Sequence, residues 1–168
     1  MKQVESWCVS MIIASIALTS CTRNSRDIES KRPDAEASLI YNKDLFGRDI
    51  NLVIINHGDR PICFPRTAIA PTSPNFILRQ NGAVVPPQHE ENRESVAING
   101  VDVAEGLAVV PAGKKRNFYI NVGDFALDAG KFTASVQLDV LDCAEVFSAA
   151  QPLRQTLQAS AVGSLPVH

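Results

Sequence analysis

Lys131-Phe132-Thr133-Ala134-Ser135-Val136-Gln137-Leu138-Asp139-Val140-Leu141 is the stretch that decides the fold. Phe132, Ala134, Val136, Leu138 and Val140 alternate with Thr133, Ser135, Gln137 and Asp139. Successive side chains of a strand point to opposite faces. Period two over this length therefore predicts a strand buried on one face and wet on the other. Asn117 to Val122 repeats the pattern, with Phe118, Ile120 and Val122 between Asn117, Tyr119 and Asn121. Ile50 to Ile55 is apolar on both faces, which suits a central strand. Shorter candidate strands are Ser38–Tyr41, Phe76–Arg79, Val84–Val85, Val96–Ile98, Leu107–Val110 and Leu157–Val162.

Turn chemistry separates these runs. Asn56-His57-Gly58-Asp59, Asn81-Gly82, Asn99-Gly100, Pro111-Ala112-Gly113 and Asp128-Ala129-Gly130 all carry residues that tolerate tight backbone turns. No segment has a helical period. Ala144 to Leu157 has room for one helical turn, but Pro152 interrupts it. Short strands at this spacing predict an all-β sandwich or barrel. The expectation is an antiparallel β-sandwich of about 7–9 strands over residues 37–168.

Composition narrows the function classes. The net charge is −2, so a nucleic-acid partner is not expected. The chain is long enough for one domain with a core of its own. It shows no internal repeat and no low-complexity segment.

The N-terminus reads as an address. Lys2 supplies positive charge, partly offset by Glu5, and Trp7 to Ala17 is almost uncharged and apolar. A membrane span needs about 20 apolar residues, so this run is too short to cross. It has the layout of a secretory signal, residues 1–20. Its end, Leu18-Thr19-Ser20-Cys21, resembles the bacterial lipobox. The resemblance implies cleavage before Cys21 and lipidation of that residue. Several acyl chains then anchor the protein stably to a membrane. In such lipoproteins an Asp after the cysteine favours the inner membrane. Thr22 stands there instead, which implies an outer-membrane protein facing the periplasm.

Residues 21–36 are expected to be a flexible tether. Eight of the fifteen residues Thr22 to Glu36 are charged, with mixed signs, and Ile28 is the one strong hydrophobe. Such a segment cannot bury enough apolar surface to offset its ordering entropy. Extended, it reaches roughly 50 Å. A rival reading makes Arg23, Arg26, Lys31 and Arg32 a patch for lipid head groups. The interspersed Asp27, Glu29, Asp34 and Glu36 argue against it.

Of four cysteines, Cys8 leaves with the leader and Cys21 takes lipid. Cys63 and Cys143 remain, an even pair in the oxidising compartment that the lipobox implies, so a disulfide is expected. The alternative is two separate buried thiols.

Asp128-Ala129-Gly130-Lys131-Phe132-Thr133-Ala134 resembles the immunoglobulin-type corner D-x-G-x-Y-x-C. Phe132 replaces the tyrosine and Ala134 the cysteine. The corner's hydroxyl hydrogen bond and the inter-sheet disulfide of antibody domains are therefore both lost. The resemblance is to the broad class of bacterial Ig-like sandwiches. The spacing of the strands and turns also weakly resembles the sandwich pro-domain of some metalloproteases and a bacillary proteinase inhibitor. In an Ig-like order Arg48–Asn56 is strand B and Lys131–Leu141 is strand F. The B–C and F–G loops leave the same end of such a sandwich. Cys63 and Cys143 would then meet there.

Chemistry-bearing residues are sparse. His168 is terminal, and His57 sits in a turn, where hydrogen bonding suits it better than catalysis. His89-Glu90-Glu91-Asn92 has no further His or Cys at ligand spacing, so no metal is expected. Asp139, Asp142 and Glu145 read as solvated charges, and Lys114-Lys115-Arg116 as a solvated turn. Nucleophile-elbow, phosphate-loop, zinc-protease and dinucleotide motifs are absent. No enzyme activity and no cofactor are expected. Arg60-Pro61-Ile62-Cys63-Phe64-Pro65-Arg66 is read as a B–C loop in which Phe64 and Arg66 could form a binding edge with Phe76, Pro86 and Pro87. The rival reading packs Phe64 as core.

The sequence therefore points to a membrane-anchored periplasmic lipoprotein with a non-catalytic Ig-like binding domain and a protein or envelope partner. Two alternatives are a protease inhibitor and an assembly subunit of an envelope or secretion complex.

Overall fold

The structure is a computed structural model that describes residues 32–44, 47–88, 96–149 and 151–166. The expected signal peptide, Cys21 and most of the expected tether, the His89–Asn92 cluster and His168 lie outside the described residues.

The alternating stretch forms the longest strand, β10 (Gly130–Asp142). Phe132, Ala134, Val136, Leu138 and Val140 are all buried. The other strands are β1 (Ala35–Asp44), β2 (Gly47–Asn56), β3 (Ile62–Pro65), β4 (Phe76–Gln80), β5 (Ala83–Val85), β6 (Ala97–Ile98), β7 (Val101–Asp102), β8 (Leu107–Val110), β9 (Lys115–Asn121) and β11 (Arg154–Leu165). One sheet has the order β1-β2-β9. The second runs β5-β4-β10-β3-β8, with β11 on the other side of β10. A small hairpin, β6-β7, stands apart. All pairings are antiparallel.

This is an Ig-like antiparallel sandwich. The strands expected as B and F are β2 and β10, and they lie in opposite sheets. β1 and β9 flank β2, while β3 and β11 flank β10. β8 joins β3 and leaves the outer side of β9 without a partner strand among the described residues. β2 is the central strand its composition predicts: Ile50, Leu52 and Ile54 are fully buried, and Val53 on the opposite face is buried as well. The inner faces interlock through edge-on aromatic pairs. Phe64 meets Phe118 with centroids 5.2 Å apart, and Tyr41 meets Phe132 at 5.1 Å. Such pairs add roughly 0.5–1.5 kcal/mol beyond area burial.

The two Asn-Gly signals form tight hairpins. Asn81 (φ 52°) and Gly82 (φ 82°) join β4 to β5, and Asn99 (φ 50°) and Gly100 (φ 73°) join β6 to β7. Two successive positive φ values match the twist of flanking strands, and Asn and Gly tolerate them best. Asn56 locks the end of the sandwich where β2 gives way to β3. Its buried side-chain NH2 lies 2.7 Å from the Arg60 carbonyl and 3.1 Å from that of Val110. Its Oδ1 accepts the Gly58 N–H at 3.0 Å. At the seam between the sheets, the Gln155 amide accepts from Ala35 N–H at 2.9 Å and donates to its carbonyl at 2.8 Å. A side chain there takes the place of a strand partner.

Three expectations need correction. Among the described residues eleven strands form, not seven to nine, with β3 and β7 beyond those expected. The Arg60–Arg66 segment, expected as a B–C loop, holds strand β3 just after Pro61 and ending on Pro65. Between them, Ile62 pairs with Val110, and Cys63 with both Val109 and Leu141. The folded part also starts earlier than residue 37. β1 begins at Ala35, and the Asp34 carbonyl accepts the N–H groups of His57 and Gly58.

Candidate functional site

The outer face of β10 and β11 is built by their register. Ser135 stands opposite Ser160, Gln137 opposite Gln158, and Asp139 opposite Thr156. These are the polar positions of the same alternation that buries Val136 and Leu138. Gln158 Nε2 donates to Gln137 Oε1 at 3.3 Å, and Thr156 Oγ1 donates to Asp139 Oδ1 at 2.7 Å. Arg154 Nη1 lies 3.8 Å from Asp139 Oδ2. The segment before β4 and the start of β4 raise a wall beside this floor, with Pro74, Asn75 and Ile77 facing it. Backbone bonds hold that wall: the Asn75 carbonyl accepts the Gln137 N–H at 2.9 Å. Together they enclose a groove of about 550 Å³. A smaller depression of about 160 Å³ continues it past Gln137 and Asn75, toward Asp102, Asp139 and Arg154.

The second notable cluster surrounds the two cysteines. Cys63 in β3 is fully buried, whereas Cys143, just past β10, is partly exposed. The Cys143 N–H donates to the Pro61 carbonyl at 3.0 Å, and Cys63 pairs with Leu141. The two sulfurs lie within hydrogen-bond reach of each other as unbonded thiols. The Cys63 S–H donates to Cys143, which raises the Cys63 pKa, and burial raises it further. The same bond lowers the Cys143 pKa by stabilising its thiolate. Thiolate is the nucleophilic form. In the reduced protein Cys143 should therefore alkylate first, at a pH where Cys63 stays protected. Peptide mapping after a brief pulse of iodoacetamide reads the order. Equal labelling, or labelling at Cys63 first, would contradict the donor–acceptor assignment.

Other site candidates take structural places. Phe64 is fully buried between the sheets, and Phe76 is buried against Phe125 at 5.7 Å. The expected apolar binding edge is therefore not formed by these rings. Arg66 is exposed at the start of the 3-10 turn Arg66–Ile69, with Nε 3.5 Å from the Leu107 carbonyl. His57 Nε2 lies 3.5 Å from a Glu36 carboxylate oxygen on the surface. Asp142 and Glu145 are not solvated charges. Asp142 is 3% exposed and pairs with Arg60 Nη1 at 3.1 Å, while its other oxygen accepts the Ala144 N–H at 2.9 Å. Glu145 accepts the Leu153 N–H at 3.0 Å and so fastens the connection between β10 and β11. Among the described residues, no three His, Cys, Asp or Glu side chains converge as metal ligands.

Sequence reasoning missed the groove. The alternation marked Ser135 and Gln137 as outward. Nothing local announced that Ser160, Gln158 and the Pro74 wall would meet them. Comparison with protein-family models and with curated proteins finds no match to this chain.

Proposed function

We propose that this chain is a lipoprotein of the bacterial cell envelope. Cys21 carries the lipid, residues 1–20 are the signal peptide, and the Ig-like sandwich is a non-catalytic binding module facing the periplasm. The observation that carries the binding reading is the open polar groove on the β10–β11 face, set on a doubly paired sheet. The lipobox Leu18-Thr19-Ser20-Cys21 supports the address, and the charged stretch behind it suits a spacer. Several acyl chains on one residue give stable anchoring, whereas a single chain gives only marginal binding.

In that compartment the Cys63–Cys143 pair is a disulfide. Two thiols lose two protons and two electrons to a disulfide-bearing oxidant of the envelope. The adjacency of the sulfurs supports this, because closing the bond needs little backbone movement. The bond would tie β3 to the start of the β10–β11 connection, across the end where Arg60 and Asp142 pair.

Lipidation is tested in cells expressing the full chain. The wild type should incorporate labelled palmitate and fractionate with outer membranes. Cys21→Ser should remain an unprocessed precursor with label at background. Undiminished label in Cys21→Ser would sink the anchoring half of the reading. Crosslinking followed by capture of the anchored protein then identifies the partner.

A further inference from the structure

We propose that the groove on the outer face of β10 and β11 is a binding site for a neutral glycan chain, with Ser135, Gln137, Gln158 and Ser160 as its hydrogen-bonding floor. This rests on reading the domain as a binding module, and it is independent of the lipid anchor.

Charge comes first. The side chains around the larger cavity are amides, hydroxyls and aliphatic groups, with no Lys, Arg, Asp or Glu among them. At the continuation, Asp139 is matched by Arg154 and Thr156, and Asp102 Oδ2 accepts from Thr67 Oγ1 at 3.3 Å. Inside the larger cavity a phosphate, sulfate or ammonium ligand would lose water and find no opposite charge, which is costly. The fitting ligand is uncharged.

Hydrogen-bonding capacity comes next. Side-chain amides and hydroxyls each donate and accept, so together they match a ligand rich in groups that do both. Sugar hydroxyls and N-acetyl groups have that character. Residues two apart on a strand lie about 7 Å apart, and neighbouring strands about 4.8 Å. The four floor residues thus form a rectangle on the scale of one pyranose ring. Pro74 and Ile77 supply aliphatic surface for the C–H face of such a ring. The length of the groove, extended by the second depression, suits more than one sugar unit.

Backbone pairing argues against an extended peptide. Peptides that add to a sheet gain affinity from main-chain hydrogen bonds at a free edge. This floor is a sheet face. β10 is already paired with β11 on one side and with β4 and β3 on the other. An extended peptide lying here would find side chains only.

The test uses the full chain, purified in a detergent whose head group is not a sugar, and titrated with a tetramer of β-linked N-acetylglucosamine. Calorimetry should show saturable binding, and the side-chain amide NMR signals of Gln137 and Gln158 should shift along the same curve. The pair Gln137→Ala and Gln158→Ala should weaken binding about tenfold or more, through lost hydrogen bonds. Both residues are exposed, so the melting temperature should hold. Ser135→Glu, which places a charge in the floor, should also abolish binding. A flat titration to millimolar tetramer would overturn the site. So would shifts confined to other residues. Equal binding of inorganic phosphate or of a charged oligosaccharide would overturn the neutral class, and displacement of the tetramer by an unrelated extended peptide would overturn the glycan. None of these outcomes depends on the palmitate experiment, so failure of the glycan site and failure of the lipoprotein reading remain distinguishable.

Discussion

Reducing the proposed Cys63–Cys143 bridge should lower the stability of the domain by about 4.5 kcal/mol, the value that chain entropy assigns to a loop of roughly 80 residues. For a domain of this size that corresponds to a melting temperature lower by roughly 15 °C. The physical basis is the unfolded state. A cross-link between β3 and the end of β10 removes conformations from the denatured chain and leaves the native pairing almost unchanged. Cys63→Ser, Cys143→Ser and the double variant should therefore lose similar amounts, because each removes the same bond. The reduced domain should still fold, since the main core, built on Ile50, Leu52, Leu78 and Leu138, does not include the cysteines. Unreduced tryptic peptides from envelope-derived protein decide the question. Alkylatable thiols at both positions would refute the bridge. A double variant much less stable than either single one would mean that packing, not the bond, is being lost.

Gly163→Ala should cost about 3 kcal/mol, the upper end of ordinary overpacking. Gly163 in β11 lies directly opposite Phe132 in β10. A Cβ at 163 would overlap the Cζ end of the Phe132 ring. The ring has little freedom to retreat, because Tyr41 meets it edge-on at an interplanar angle of 84°. The backbone at 163 is ordinary strand, so the requirement for glycine comes from the neighbouring ring. Chemical denaturation of four proteins checks this: wild type, Gly163→Ala, Phe132→Leu and the double variant. The smaller side chain at 132 should make room, leaving the double variant more stable than the sum of the single losses predicts. Strict additivity would show that the two positions do not share the space.

The architecture was largely legible in the sequence. β10 and β9 announce themselves by period two, β2 by apolar residues on both faces, and the β4–β5 and β6–β7 hairpins by Asn-Gly. Each of these signals is local: a strand's two faces and a turn's φ values are set by a few adjacent residues. The meeting of Cys63 and Cys143 was legible too, once β2 and β10 were placed as strands B and F of an Ig-like order. It arises through β3 pairing with β10 and not through two loops.

What a residue faces across the sandwich was not legible. Phe64 sits in a seven-residue run with two prolines, and only its pairing with β8 and its contact with Phe118 make it core. Asp142 and Glu145 look like surface charges until Arg60 and the Leu153 N–H close over them. Gly163 looks like any strand glycine until Phe132 is laid on it. The groove needs Ser135 and Gln137 in register with Ser160 and Gln158, and a wall from the segment before β4. The alternation of hydrophobic and polar residues by itself determined that β10 is a strand and which of its side chains point inward. Only the tertiary structure decided which strand lies beside it and in what register, because pairing is a property of two distant segments and a slip of one residue would turn every side chain to the other face.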